Sequence, residues 1–362
     1  MTKLALGLMS GTSADGLTVC AVQISPLKIV HFKNYPYPQK LQTRLLNAYR
    51  LKAGALSELN YELGSLYAKI TARFLKEFQL SASDICVIGS HGQTVLHAPN
   101  APTPNTLQIA EPSFLAAAFN VPVVSDFRAK DMALGGQGAP LIPFFDEYIW
   151  GQKSPKILLN IGGISNFSLV GKNRKTFGFD VGPGNTLIDL CAQQFLHQPF
   201  DKNGTAAAKG TPDKALVGKL LQQPFFTQKP PKSLDKNDFG QAYLTRYFLR
   251  AFKNRTHDLL ASVTYFTAAA IANQITRFVP QKDQQEIVVS GGGCRNKTLL
   301  RFLRELLPHV KITTSLDYHI DPQAKEAAAF ALFAWLALHK KTNHCPSATG
   351  AHGQTILGKI TL

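Results

Sequence analysis

The sequence is poor in cysteine, tryptophan, methionine and acidic residues, and it has no long hydrophobic run. The five cysteines, Cys20, Cys86, Cys191, Cys294 and Cys345, lie far apart and form no CxxC pair. That spacing excludes a disulfide framework and a thiolate zinc site. The longest apolar run, Ala327 to Leu338, is too short to cross a bilayer and reads as a buried helix. The opening string MTKLALGLMSG lacks the apolar length and cleavage site of a signal peptide and reads as a first strand. These absences point to a reducing compartment, the cytoplasm, and to no membrane partner. Acidic residues number 23 against 39 Lys and Arg, a net charge of +16. The basic residues are dispersed, with no block interleaved with aromatics. The surplus therefore reads as a solvated surface rather than a nucleic-acid site, and it is compatible with an anionic small substrate. What is present is ordinary globular material: 45% hydrophobic residues in 362, enough for two domains.

Apolar spacing predicts a strand over 4–9, a Ser-Gly-Thr-Ser-Ala-Asp-Gly turn and a return strand over 17–24. Helical spacing follows over 39–78, as in Leu59, Leu63, Leu66, Ile70 and Phe74. Strands over 85–90 and 121–125 end in Ser90-His91-Gly92-Gln93-Thr94 and Asp126-Phe127-Arg128. The Gly- and Pro-rich stretch 135–143 reads as a hinge. The second half opens with a near-echo: a strand over 156–160, the turn Ile161 to Asn166, and a return strand over 167–171. Phe177 to Asp180 then runs into Gly182-Pro183-Gly184-Asn185 and a helix from Leu187. Residues 222–238 read as an exposed loop, 258–278 as a helix, 287–289 as a strand opening into Ser290-Gly291-Gly292-Gly293, and 324–338 as a final helix. Two hairpins of one type predict two similar α/β lobes with the site in the cleft between them. The expected division is 1–136, with 322–362 returning to it, and 137–321.

Gly-rich turns can point amides at a phosphate chain with no Cβ in the way. SGTSADG adds hydroxyls, NIGGISN is a second such turn and SGGG a third, although no GxxxxGK[ST] string exists. Asp15 and Asp180 each stand beside such a turn. A carboxylate among phosphates needs a bridging cation, which implies Mg²⁺ if nucleotide binds there; an Asx turn or helix cap is the commoner use of Asp beside Gly. The strand-end position of Asp180 suits a base. His91, Glu111, Arg128 and Asp131 fall near strand ends and would form a polar ring for a hydroxyl-rich ligand. A structural histidine and an Arg128–Asp131 ion pair are the plainer alternatives. Glu326 heads an otherwise apolar helix, where it is also a favourable charge in a first turn.

The strings SGTSADG, GSHGQTVLH, TLQIAEPS, DFRAKDMALGGQGAPLIP, NIGGISNFS, FDVGPGN, SGGGCRN and AKEAAAFA occur in this order between residues 10 and 331. On them the chain closely resembles the anhydro-N-acetylmuramic acid kinases, bacterial peptidoglycan-recycling enzymes. The resemblance implies the two-lobed α/β fold of actin, sugar kinases and heat-shock chaperone ATPases. It implies ATP-dependent opening of 1,6-anhydro-N-acetylmuramic acid to N-acetylmuramic acid 6-phosphate and ADP, with ATP and Mg²⁺ and a homodimer as an open expectation. The family's nucleotide stretch falls on Gly11, Thr12, Ser13, Ala14, Asp15, Gly16, Leu17 and Thr18, with Asp15 as the metal candidate. The other nucleotide candidates are Asn160, Gly162, Gly163, Gly182, Gly184, Asn185, Gly291, Gly292, Gly293 and Asn296. Asp180 takes the place of the general base. The sugar candidates are His91, Gln93, Glu111, Arg128, Asp131 and Glu326. The sequence departs from the family at Thr18, at Val181 and in the 232–239 loop, the family's PPKSTGRE-like string reading PPKSLDKND here, at 230–238. The rivals are an ordinary hydroxyl kinase, an ATP-switched binding protein of chaperone or actin type, and a nucleic-acid binder resting on charge alone.

Overall fold

The computed structural model describes residues 3–151, 153–172, 176–230, 232, 234 and 238–362. They form two compact units, one of residues 1–149 with 319–362 and one of 150–318.

In the first unit, β1 (Leu4–Met9), β2 (Gly16–Gln23) and β3 (Lys28–Pro36) form an antiparallel meander. On its other side β1 pairs in parallel with β4 (Ile85–Ser90), and β4 with β7 (Val123–Ser125). Between these lies a separate hairpin of β5 (Gln93–Ala98) and β6 (Asn105–Ile109). One face of the sheet is covered by the helix Ala53–Glu77, which buries Leu59, Leu63, Tyr67 and Phe74 at the predicted helical spacing. The other face takes the Ala-rich helix Lys325–Leu338. Gly7 and Gly89 admit its backbone, since a Cβ there would stand 1.7 Å from the Ala327 carbonyl oxygen and 2.1 Å from that of Phe330. That close approach explains why the helix is built of alanine.

The second unit repeats the plan. β8 (Lys156–Ile161), β9 (Ile164–Val170) and β10 (Phe177–Pro183) are an antiparallel meander. β8 continues in parallel to β11 (Glu286–Ser290), and β11 to β12 (Lys311–Thr314). The helix Thr256–Phe278 is buried along most of its length in this unit's core. The first sheet adds β13 (Lys359–Thr361) at its edge, antiparallel to β7.

Three expectations change. The division falls after Ile149 and not after 136, because Leu141 and Phe145 pack in the first unit's core with the helix Lys325–Leu338. The 135–143 stretch is not a loose hinge: the N–H groups of Gly136 and Gly138 donate to Asp131, and that of Gln137 to the Thr349 carbonyl. The expected exposed loop 222–238 contains a short helix, Pro224–Thr227, and buries Phe226 and Lys232; its residues 231, 233 and 235–237 lie outside the described residues.

Candidate active site

In the first unit the turn between β1 and β2 presents Thr12, Ser13 and Asp15 to solvent, while Ala14 and Leu17 are in the core. Leu17 and Ala14 thus support the turn with their side chains and offer a ligand none. Ala14 closes the turn in the left-handed region (φ 48°), its N–H donating to the Gly11 carbonyl at 3.0 Å. Gly11 faces open space: an added Cβ would find nothing nearer than Ser13 Oγ at 3.8 Å. Thr18 Oγ1 donates to Asn34 on β3 at 3.2 Å. Asp15 accepts from Ser13 Oγ at 3.1 Å, and the described residues contain no cluster of three or more metal-ligating side chains. One exposed carboxylate beside two hydroxyls fits Mg²⁺ held mainly by substrate phosphates and water, the usual mode for that ion.

The sugar candidates divide sharply. Gln93 is fully buried; its Oε1 accepts from Ser10 Oγ at 2.6 Å and its Nε2 donates to the Gly11 carbonyl at 3.0 Å, so it braces the first turn. His91 is also buried. Its Nδ1–H donates to the Gly92 carbonyl at 2.9 Å and its Nε2 accepts from Arg128 Nε at 3.0 Å. Burial first, and the Arg128 charge second, push its pKa down to about 3, so it is a neutral acceptor that orients Arg128. Asp131 has no exposed surface. One oxygen accepts from Thr349 Oγ1 at 2.6 Å and from His344 Nε2, the other from the Gly138 N–H at 2.6 Å. In this structure the polar atoms of His91, Gln93 and Asp131 are engaged by hydrogen bonds within the unit, which fixes where these side chains sit. Arg128 donates to His91 and, through Nη1, to the Gly138 carbonyl at 2.8 Å, and is joined to no carboxylate by a salt bridge among the described residues. Glu326 is exposed at the first turn of its helix. Although its surface is open, the protein gathered around it desolvates the carboxyl and raises it above the ordinary range, against the lowering charges of Lys325 and Arg128. Glu111 accepts from the N–H and Oγ of Ser113 at 3.1 and 2.6 Å through one oxygen, fixing the start of the helix Ser113–Phe119. Arg128, Glu326 and the second oxygen of Glu111 are what this set can still offer a ligand.

In the second unit three Gly-rich turns meet at one end of the sheet. The N–H groups of Gly184 and Asn185 donate to the Gly163 and Gly162 carbonyls at 2.9 and 2.7 Å, and Asn185 Nδ2 to Ile161 at 3.1 Å. Only glycine fits at 184, where a Cβ would stand 2.2 Å from the Gly162 oxygen. Ser290 pairs with Asn160, which places Gly291 beside the first of these turns, and Gly292 lies against Asn185. Asn296 is buried, and its Oδ1 caps the helix Lys297–Leu306 through the Leu299 N–H at 3.0 Å, so this candidate builds the third turn. The helix Thr186–Leu196 starts at this junction and directs its positive end there.

Asp180 lies on β10 just before a register shift between Asp180 and Gly182, a bulge that re-aims the strand. Val181, one of the departures from the family pattern, is the buried residue of that bulge. Asp180 Oδ2 accepts from the Leu234 N–H at 2.8 Å, and the Asp180 N–H donates to the Lys232 carbonyl at 3.2 Å. Burial raises the carboxyl above the ordinary range and the Leu234 bond opposes it. Sequence reasoning missed this bracket. The only signal was the PPKS string in an expected loop, and hydrogen bonds 54 residues apart leave no local trace.

Two α/β units of one strand order, each with a small-residue turn after its first strand, define the actin-like fold class to which sugar kinases belong. Among solved structures, (R)-2-hydroxyglutaryl-CoA dehydratase component A from Acidaminococcus fermentans is similar at TM-score 0.48 and 13% identity, over 93% of this chain and 100% of that one. At such a score it is the strand order that carries the fold class.

Within that class, the family model for anhydro-N-acetylmuramic acid kinase matches residues 3–362, and the chain belongs to this family of kinases. It is 41% identical to anhydro-N-acetylmuramic acid kinase of Actinobacillus pleuropneumoniae serotype 5b over 99% of both chains. It is 35% identical to that of Caldanaerobacter subterraneus subsp. tengcongensis, over 99% of this chain and 97% of the other.

Proposed function

We propose that the protein converts 1,6-anhydro-N-acetylmuramic acid, ATP and water into N-acetylmuramic acid 6-phosphate and ADP, a step of peptidoglycan recycling. The observation that carries this reading is Asp180, a half-buried carboxylate at a strand bulge beside three Gly-rich turns. Hydrolysis of an acetal commonly takes two carboxyl groups, one activating water and one protonating the leaving oxygen. Here Asp180 takes a proton from water as the water oxygen bonds to C1. The C1–O6 bond breaks, and O6 bonds to the γ-phosphorus as ADP leaves, so the phosphoryl group stands where the acid's proton would. One base is enough. A carboxyl raised by burial is the better proton acceptor for that step.

The exposed Thr12, Ser13 and Asp15 and the Gly-turn amides suit the phosphates, and Asp15 would hold Mg²⁺, which supplies charge stabilisation at the transferring phosphoryl group when bound. Arg128, its Nε and Nη1 oriented by His91 and Gly138, suits the lactyl carboxylate, and Glu326 a hydroxyl. The test is a coupled ADP-release assay with the anhydro sugar, Mg²⁺ and ATP in ¹⁸O-water. Label at C1 of the product is expected; phosphorylation of reducing sugars without label would replace this reading with an ordinary hydroxyl kinase.

A further inference from the structure

Lys232 is the least ordinary lysine of the second unit. It is 8% exposed, yet no carboxylate pairs with it among the described residues. Its ammonium donates to the carbonyls of Phe225 at 2.9 Å and Gln228 at 3.2 Å and to Gln274 Oε1 at 2.5 Å. It also lies 4.5, 5.3 and 5.6 Å from the ring centres of Phe225, Phe278 and Phe179. Gln274 is itself fully buried and fixed by donation to the Phe226 carbonyl at 2.9 Å. Three oxygens and three aromatic faces make a seat that an ammonium fills and a shorter or uncharged side chain leaves unsatisfied.

The seat matters because of what the same residue does with its backbone. The Lys232 carbonyl accepts the Asp180 N–H, and two residues on, the Leu234 N–H donates to the Asp180 carboxylate. Phe179, a wall of the seat, is the residue before Asp180 on β10. Side chain and backbone thus clasp one strand position from two directions. We propose that Lys232 is a positioning residue for the general base: its buried ammonium anchors the segment that brackets Asp180 and fixes the direction of the carboxylate.

This rests on the reading of Asp180 as the base. Among the described residues burial raises the Asp180 carboxyl and the Leu234 N–H lowers it, with no charged side chain acting on it. The charged group facing Lys232 is Arg277, from the helix Thr256–Phe278, which together with the larger effect of burial brings the lysine down to about 8. An anchor that withdrew would take the Leu234 donor with it, and a carboxylate that loses a donor becomes harder to ionise.

The experiment is Lys232→Met, which keeps the apolar stem and removes the ammonium, measured as full pH profiles of kcat and as KM for ATP and sugar. Expected are a kcat lower by roughly tenfold to a hundredfold, both KM values within about threefold, and an acidic limb of the kcat profile displaced to higher pH. A limb superimposable on that of the wild type overturns the proposal, whatever happens to kcat, because a purely structural lysine would lower the active fraction without moving the limb. If Lys232→Met does not fold, Leu234→Pro decides, since it deletes the donated N–H while leaving Lys232 in its seat; an unmoved limb there also overturns the proposal. Asp180→Asn separates the two readings: if it retains turnover the base assignment fails, and if it abolishes turnover while the limb of Lys232→Met coincides with that of the wild type only the Lys232 assignment fails.

Discussion

The two units open with the same meander, but their first turns do opposite things. Between β1 and β2 the chain leaves hydroxyls, a carboxylate and an open glycine facing solvent, with the brace supplied from outside by Gln93. Between β8 and β9 the turn is closed on itself, Gly162 N–H to Ile164, and its carbonyls are taken up by Gly184 and Asn185. One copy offers polar groups and the other absorbs them. A repeated backbone plan therefore does not repeat its bonding: the carbonyls of the second turn hold the chain just after the bulge at Asp180, while the first turn leaves its polar side chains open.

The comparison can be broken most directly at Asp180. Asp180→Asn should keep fold and both KM values and lose about 10²–10⁴-fold in turnover. In the wild type the acidic limb of kcat should lie above the ordinary carboxylate range, because burial raises this group. Steady-state kinetics across pH check both; turnover within a few-fold of wild type would remove Asp180 from the mechanism.

The contrast between the turns is tested by a pair of glycine variants. Gly184→Ala forces a Cβ to 2.2 Å from a backbone oxygen and should cost about 1–3 kcal/mol of stability. Gly11→Val meets no protein atom that close and should melt normally while raising the ATP KM roughly tenfold, about 1.4 kcal/mol. Calorimetry and ATP kinetics on both proteins decide; a Gly11→Val protein with unchanged ATP kinetics would make the first turn a plain hairpin.

Arg128→Lys keeps the charge and loses the planar fork that His91 and Gly138 orient. It should raise the sugar KM about tenfold or more, the ~1.5–3 kcal/mol of a charged hydrogen bond, with the ATP KM little changed. A lower Tm with an unchanged sugar KM would assign Arg128 to structure.

The smallest effect expected is on acid stability. Burial raises the Asp131 carboxyl, but its bonds from His344, Thr349 and the Gly138 N–H outweigh that and leave it below the ordinary value. A depressed carboxylate contributes stability that is complete above the unfolded pKa, about 3.9, and is lost as pH falls through the folded one. Asp131→Asn should therefore flatten the decline of Tm below about pH 4, read by thermal melts from pH 3 to 7; an unchanged slope would deny Asp131 that role.

Local sequence determined a good deal here. Short apolar runs placed β1, β4 and β8, helical apolar spacing placed the helix Ala53–Glu77, and clusters of small residues marked the turns after β1, β8 and β11, because small residues crowd a tight backbone turn least. Asp180 was visible for the same reason, as a carboxylate between a strand and a Gly-Pro-Gly turn. The short β5 to β6 hairpin and the anchored 222–238 segment were not, since neither has a clean period. Above all, no pattern could say which polar side chains were still available. Asp131, Gln93 and His91 read as ligands because their types and strand-end positions suited one, yet Asp131 is bound to His344 and Thr349, 213 and 218 residues away. A buried polar group must be satisfied, and its partner is set by packing between distant segments. Which polar group points to solvent and which is satisfied inside was decided by the tertiary structure alone.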